Sequence, residues 1–288
     1  MTIKRKREFL VLDLSWIARL LLATCIDVIL LPLAGCMLVW AWIRRYHCYF
    51  RSRQSSRQLP ATSRTMGVLL LHGSGFNCVE WLLGRAWLHC CLPAGDFHVV
   101  AIDYAGLVSN DAAHGIDTYA RGPVRQQLLS LKHTTGITRW CLVGHSMGGL
   151  IAAYYAEKLA VEDKLSIAHV LTIASPWQGA PILSRLSQPG LAVRYQQMSV
   201  NSHFLPSLGK EARKHRAMYT TVGSDVDAMV PGRRWSLDLP GIDVSPDKFS
   251  WLGHYALIAW PPLWRLVTQK LKTINQSHNH LLPSIYKK

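Results

Sequence analysis

Short apolar, β-branched runs alternate along this chain with longer stretches whose apolar positions recur every three or four residues. The short runs predict strands at Thr65–Leu71, Phe97–Ile102, Ile137–Val143, Ile167–Ala174, Arg216–Val222 and Trp235–Leu239. The longer stretches predict helices. Val79–Cys91 carries Trp81, Leu82, Trp87 and Leu88 on its apolar side, Thr118–Thr134 has Asp117 placed to cap it, and Leu150–Ala160 follows the third strand. Tyr255–Leu271 has a helical rhythm that Pro261 and Pro262 must break or kink. Residues 182–214 are irregular or weakly helical. Strands alternating with helices predict an α/β fold, a mostly parallel sheet of about six strands with helices on both faces. Chemistry then belongs at the carboxyl ends of the strands.

The apolar pattern before the first strand is different. Residues 9–45 form a long run, interrupted by Asp13, Arg19 and Asp27, behind the basic flank 1–8 with Lys4–Arg5–Lys6–Arg7. A membrane span needs about 20 apolar residues, and the stretch from Leu20 to Ile43 supplies them, with Asp27 a costly charge inside or near its edge. A re-entrant hairpin around Pro32 and Gly35 is the competing reading. Residues 46–64, rich in Arg, Ser and Gln, read as a basic linker. The α/β domain follows at 65–272, including a variable, lid-like region at 177–214, and 273–288 is a polar tail.

Charge supports that division. The formal net charge is +15, and residues 1–64 hold eleven Lys and Arg against three Asp and Glu. The excess gathers beside the apolar run, which favours membrane-lipid partners over a nucleic-acid-binding face. Basic residues on both sides of the run slightly favour a bacterial inner-membrane location with the domain facing the cytoplasm. The oligomeric state is not legible. Seven cysteines, Cys25, Cys36, Cys48, Cys78, Cys90, Cys91 and Cys141, are an odd number without framework spacing and read as reduced thiols.

The chemistry centres on Cys141–Leu142–Val143–Gly144–His145–Ser146–Met147–Gly148–Gly149. A buried strand ends in a serine bracketed by glycines two positions away on each side, the nucleophile-elbow pattern. A serine on so tight a turn needs the flanking glycines so that strand and helix can pass closely. The turn leaves its hydroxyl at a helix N-terminus, where free N–H groups favour a developing oxyanion.

A nucleophilic serine needs a base, and the base an acid to orient it. Of the later histidines, His254 lies beyond the last predicted strand and just before the terminal helix. Asp227 follows the strand ending near Val222, four residues before Pro231, and Asp225 is the alternative acid. The oxyanion donors expected are the backbone N–H groups of Met147 and of Ser74 in His72–Gly73–Ser74–Gly75. Gly75, Phe76, Trp177 and Gln178 are candidate pocket residues. No metal-ligand cluster is visible, and neither a metal nor a cofactor is expected.

These motifs resemble the lipase and esterase kind of α/β-hydrolase, over about residues 65–272. The likeness rests on Leu69–Leu70–Leu71–His72–Gly73, the elbow, Ser175–Pro176–Trp177–Gln178–Gly179–Ala180, Asp227 through Pro231, and Gly253–His254. The form of the elbow is similar to that of bacterial triacylglycerol lipases. Where that family usually has Thr-Pro-His-x-Gly-Thr, this chain has Ser-Pro-Trp-Gln-Gly-Ala. The resemblance implies Ser146 as nucleophile, Asp227 as acid, His254 as base, and Ser74 with Met147 as oxyanion donors; a carboxylic ester is the expected substrate, and membrane attachment with the apolar region 177–214 suggests that it is lipid-like. Thioesterase, amidase or acyltransferase chemistry on the same triad is the alternative within enzymes. An inactive membrane-anchored scaffold is the alternative outside them.

Overall fold

The computed structural model describes residues 18–29, 65–104, 112–185, 192–239, 241–244, 249 and 251–285. Among them are five strands, β1 (Met66–Leu71), β2 (Phe97–Ile102), β3 (Arg139–His145), β4 (Ser166–Ile173) and β5 (Tyr219–Val222). They form one parallel sheet in the order β2-β1-β3-β4-β5. The helices are α1 over residues 18–29, α2 (Leu82–Cys91), α3 (Ile116–Tyr119), α4 (Arg125–Thr135), α5 (Met147–Lys158), α6 (Pro181–Arg185), α7 (Val193–Gln197), α8 (Phe204–Lys214), α9 (Ala256–Ala259) and α10 (Pro261–Ile285).

The central strands are apolar throughout because both faces of the sheet are covered. Successive side chains point to opposite faces. Leu69, Leu71 and Leu142 therefore enter one core with Leu128 of α4, Leu150 and Ile151 of α5, and Leu205 and Leu208 of α8. Met66, Val68, Leu70, Cys141 and Val143 enter the other with Leu88 of α2 and Leu263, Trp264 and Val267 of α10. Burial pushes the Cys141 thiol up to about 12, so it remains an unreactive thiol in the core.

Three differences from the sequence reading have local causes. Trp235–Leu239 is not a strand, and a single bridge between Thr221 and Asp243 stands where a sixth would pair with β5. The Asp243 carboxylate accepts from the hydroxyls of Thr221 and Ser236 and from the N–H of Leu237 at 3.3 Å, which curls the segment instead of extending it. The predicted helix 118–134 starts two residues earlier, at Ile116, and passes through a wide turn, Ala120–Val124, that contains Pro123. A proline has no N–H for the helical ladder, so the ladder widens around it. Asp117 does not cap the helix; its Oδ1 accepts from Gln197 Nε2 at 2.7 Å. The terminal helical pattern divides at Trp260. Helix α10 begins on Pro261, a position that suits proline, and continues past residue 272 to Ile285, with Asn275 buried and accepting from Arg139 Nη1 at 3.1 Å.

The N-terminal expectation is corrected. Among the described residues no helix is long and apolar enough to cross a membrane. Asp27, the charge that a bilayer would penalise, is turned inward, with its carboxylate against the backbone of residues 254–256. A membrane-spanning segment in the fold, membrane lipids as partners through it, and an inner-membrane location resting on it are withdrawn on this ground. The remainder of 9–45, with the re-entrant hairpin at Pro32 and Gly35, lies outside the described residues, as do 1–8 and 46–64.

Candidate active site

The strand-to-helix turn after β3 is built by exclusion. A Cβ on Gly144 would overlap the backbone of Gly148 and Gly149, and one on Gly148 would overlap the carbonyls of Leu71 and His72. Only glycine at both positions lets α5 start directly over the ends of β1 and β3. Ser146 takes φ 51° and ψ −122°, a conformation costly for a residue with a side chain. Its N–H donates to the Ile173 carbonyl at 2.8 Å, which ties the strained residue to the end of β4. The N–H of Met147 is one of the four at the helix start that the helix itself leaves without an acceptor.

Beside this turn lies the loop after β1. The Gly73 N–H donates to Glu80 Oε2 at 2.9 Å, so it is directed away from any substrate. The Phe76 N–H closes a turn on the Gly73 carbonyl at 3.3 Å, with Ser74 at the turn and Gly75 exposed at φ +79°. Gly73 packs so close to Ser146 that an added Cβ would lie 3.3 Å from the Ser146 Cβ. This turn and the elbow therefore face the same small volume.

Asp227 and His254 meet on the loops after β5 and before α9. His254 Nδ1 donates to Asp227 Oδ2 at 2.7 Å, and both side chains are buried. The other oxygen of Asp227 accepts from the N–H groups of Met229 at 2.8 Å and Val230 at 2.9 Å, which fixes the carboxylate. With the imidazole proton on Nδ1, the neutral ring carries its basic lone pair on Nε2. Burial alone would lower the His254 pKa, but the Asp227 charge and hydrogen bond, with the charges of Asp27 and Glu80, outweigh it and raise the value. Asp225 stands apart. Its Oδ1 is buried without a hydrogen-bond partner, and its carbonyl accepts from the Gly232 N–H at 3.0 Å.

A second polar chain links the three loops. Glu80 Oε1 lies 2.5 Å from His145 Nδ1, and His145 Nε2 donates to the His254 carbonyl at 3.1 Å. Glu80 thus joins the Gly73 turn, the elbow and the His254 loop. Neither Glu80 nor the His145 ring was singled out from sequence. The only signal available was that His145 sits inside the elbow motif.

The four pocket candidates divide. Phe76 packs against Tyr255 with ring centroids 4.8 Å apart, next to His254, and Gly75 is its neighbour on the same turn. Trp177 is buried in the core, its indole donating to Thr172 Oγ1 at 3.1 Å. Gln178 Nε2 donates to Asp238 Oδ2 at 2.6 Å and braces the 234–238 segment. Of the lid-like region, the described helix α8 buries Leu205, Leu208 and Ala212 in the α5-side core. Among the described residues no group of three His, Cys, Asp or Glu is arranged to hold a metal ion.

The family is shown by comparison. A family model described as alpha/beta hydrolase fold matches residues 68–246, and the chain belongs to that family. Over 110 residues it is 31% identical to RutD of Klebsiella pneumoniae (strain 342), whose name assigns it provisionally as a carbamate hydrolase. That match takes in 38% of this chain and 37% of RutD, so this chain spans little more than a third of that relative's length. Aspergillus fumigatus lipase B shares the fold at a TM-score of 0.55 and 14% identity, over 74% of this chain and 54% of the lipase. Bacillus licheniformis lipase BlEst2, in its mature form, does so at 0.52 and 12%, over 75% of this chain and 95% of the lipase.

Proposed function

We propose that this chain is a serine hydrolase that cleaves carboxylic esters through an acyl-enzyme on Ser146. The observation that carries the reading is the buried Asp227–His254 pair, 2.7 Å between Oδ2 and Nδ1, on loops that share the strand-end volume with the elbow. In this mechanism His254 Nε2 takes the Ser146 proton as the hydroxyl oxygen attacks the acyl carbonyl. The N–H groups of Ser74 and Met147 receive the oxyanion. The imidazolium then returns its proton to the departing alkoxide oxygen, and the alcohol leaves. A water deprotonated by His254 attacks the acyl-enzyme, releasing the acid and restoring Ser146.

The lipid-like character expected of the ester rested on membrane attachment and on the apolar region 177–214, and the first of these is withdrawn; the carbamate named for RutD belongs to that protein and sets no substrate here. The test is labelling with a fluorophosphonate probe. The unaltered protein is expected to label and Ser146→Ala to remain unlabelled. Equal labelling of the two would remove Ser146 from the mechanism.

A further inference from the structure

Three consecutive N–H groups at the entry to α9 converge on one carboxylate from the far end of the chain. Asp27 Oδ2 accepts from the His254 N–H at 2.7 Å, and Oδ1 accepts from Ala256 at 3.0 Å and Tyr255 at 3.2 Å. The N–H groups of a tight turn form a concavity that suits an anion. His254 and Ala256 are buried, so without Asp27 their N–H groups would have neither a protein acceptor nor bulk water. The loop is cut to admit this group: a Cβ on Gly253 would overlap the Asp27 carboxylate itself. No positive φ accounts for that glycine, since Gly253 is not among the residues in the left-handed region.

We infer that Asp27 is a positioning residue for the catalytic base, holding the backbone of His254 so that its ring meets both Asp227 and the Ser146 side of the site. The inference rests on His254 being the base. Residue 254 is held from three sides: its N–H by Asp27, its carbonyl by His145, and its ring by Asp227. The last two come from the elbow and the post-β5 loop, which belong to the sheet. Asp27 comes from α1, which is otherwise seated through Ala23 and, in part, Ile26, with Leu21, Leu22, Val28 and Ile29 exposed. The groups facing His254 are Asp227, Asp27, Glu80, His145 and Tyr255. The Asp27 charge also favours the imidazolium that forms when the base takes its proton.

The experiment uses the full chain, a fluorophosphonate probe and p-nitrophenyl butyrate. Asp27→Asn keeps the shape but removes the charge and replaces one acceptor oxygen with a donor. We expect KM to change less than twofold and kcat to fall by about 10²-fold, the scale of a small misplacement of a catalytic group. The acid limb of kcat/KM is expected to move to lower pH. An unchanged kcat and an unchanged acid limb overturn the proposal. Failure of the unaltered protein to label at Ser146 overturns the hydrolase reading and this one with it, whereas normal labelling with a silent Asp27→Asn overturns this one alone. Gly253→Ala gives an independent route if Asp27→Asn does not fold. It should reproduce the loss in kcat when Asp27 is present and add nothing in an Asp27→Ala background. Additive losses from Gly253→Ala and Asp27→Ala overturn the proposal.

Discussion

The turn that carries Ser146 and the loop that carries His254 reach the same site by opposite means. The turn is determined by its immediate neighbours: glycines at 144 and 148 remove the atoms that would collide, and β3 and α5 are continuous with it. The loop has no such frame. It lies between Phe249 and the short helix α9, and its conformation is imposed by side chains from residues 27, 145 and 227. The proposed nucleophile, fixed by sterics, is robust to most distant changes. The proposed base, fixed by borrowed hydrogen bonds, depends on each lender. This difference predicts which substitutions abolish activity outright and which reduce it in stages.

The largest effect belongs to the proposed nucleophile. Ser146→Ala is expected to lower kcat by about 10⁶-fold, to the background left by substrate binding and the oxyanion donors. Residual ester hydrolysis above about one part in 10⁴ would mean that another group attacks the carbonyl. Asp227→Asn comes next. It leaves the shape but disturbs the His254 tautomer, for which a loss of about 10⁴-fold in kcat is the precedent. Asp225→Asn, which touches no histidine, is expected to change kcat less than threefold. The reverse order would transfer the acid role to Asp225.

The steric frame of the elbow can be broken separately from its chemistry. Gly148→Ala drives a methyl group into the carbonyls of Leu71 and His72, which are backbone and cannot rotate away. Overpacking costs about 1–3 kcal/mol in an adaptable core, and this site lies at or above the top of that range. A melting temperature within a degree or two of the unaltered protein would show that the β1 and α5 backbones yield more easily than the packing implies.

The elbow turn and the strands of the parallel sheet were legible because each is encoded within a few adjacent residues. Apolar runs give strands, and Gly-x-Ser-x-Gly gives its own turn. The sixth strand failed because Asp243 and Ser236 satisfy backbone and hydroxyl groups that a strand pattern assigns to a ladder. Asp27 failed more instructively. A lone acid in an apolar run reads as an interruption of a span, and its partners are 227 to 229 positions away. Nothing local distinguishes a charge that a membrane would penalise from one that a buried loop requires. Glu80 was opaque in part for the same reason: the Gly73 N–H is seven positions away, but His145 is brought to it only by the sheet.

The loop's electrostatics give a gentler test. The carboxylates around His254 raise its pKa despite burial, so the ring holds its proton to higher pH in the folded protein than in the unfolded chain. A base must be neutral to act, and kcat/KM is therefore expected to fall on the acid side with an apparent pKa above about 6.5. The sign for stability is opposite. This histidine's contribution is complete below about pH 6.5 and fades as pH rises through the folded value. A limb below pH 6 would mean that desolvation, which pulls the value down, prevails over the three carboxylates.

The smallest expected effect separates the site from the core that supports it. Trp177 and Gln178 follow β4 at the strand-end level where a pocket wall belongs, and the sequence reading placed both there. The indole instead donates to Thr172 within the sheet and packs on Tyr219 with ring centroids 6.1 Å apart. Trp177→Phe removes that hydrogen bond and part of the ring volume, for about 2 kcal/mol of stability. It should leave kcat and KM for a short-chain ester within twofold. Phe76→Ala, whose ring lies on Tyr255 beside the base loop, is expected to raise KM while costing less stability, since Phe76 is only half-buried. If Trp177→Phe instead raised KM and Phe76→Ala did not, the acyl group would enter over β4 rather than over the turn after β1. The division between a substrate-facing turn and a structural one would then have to be reversed.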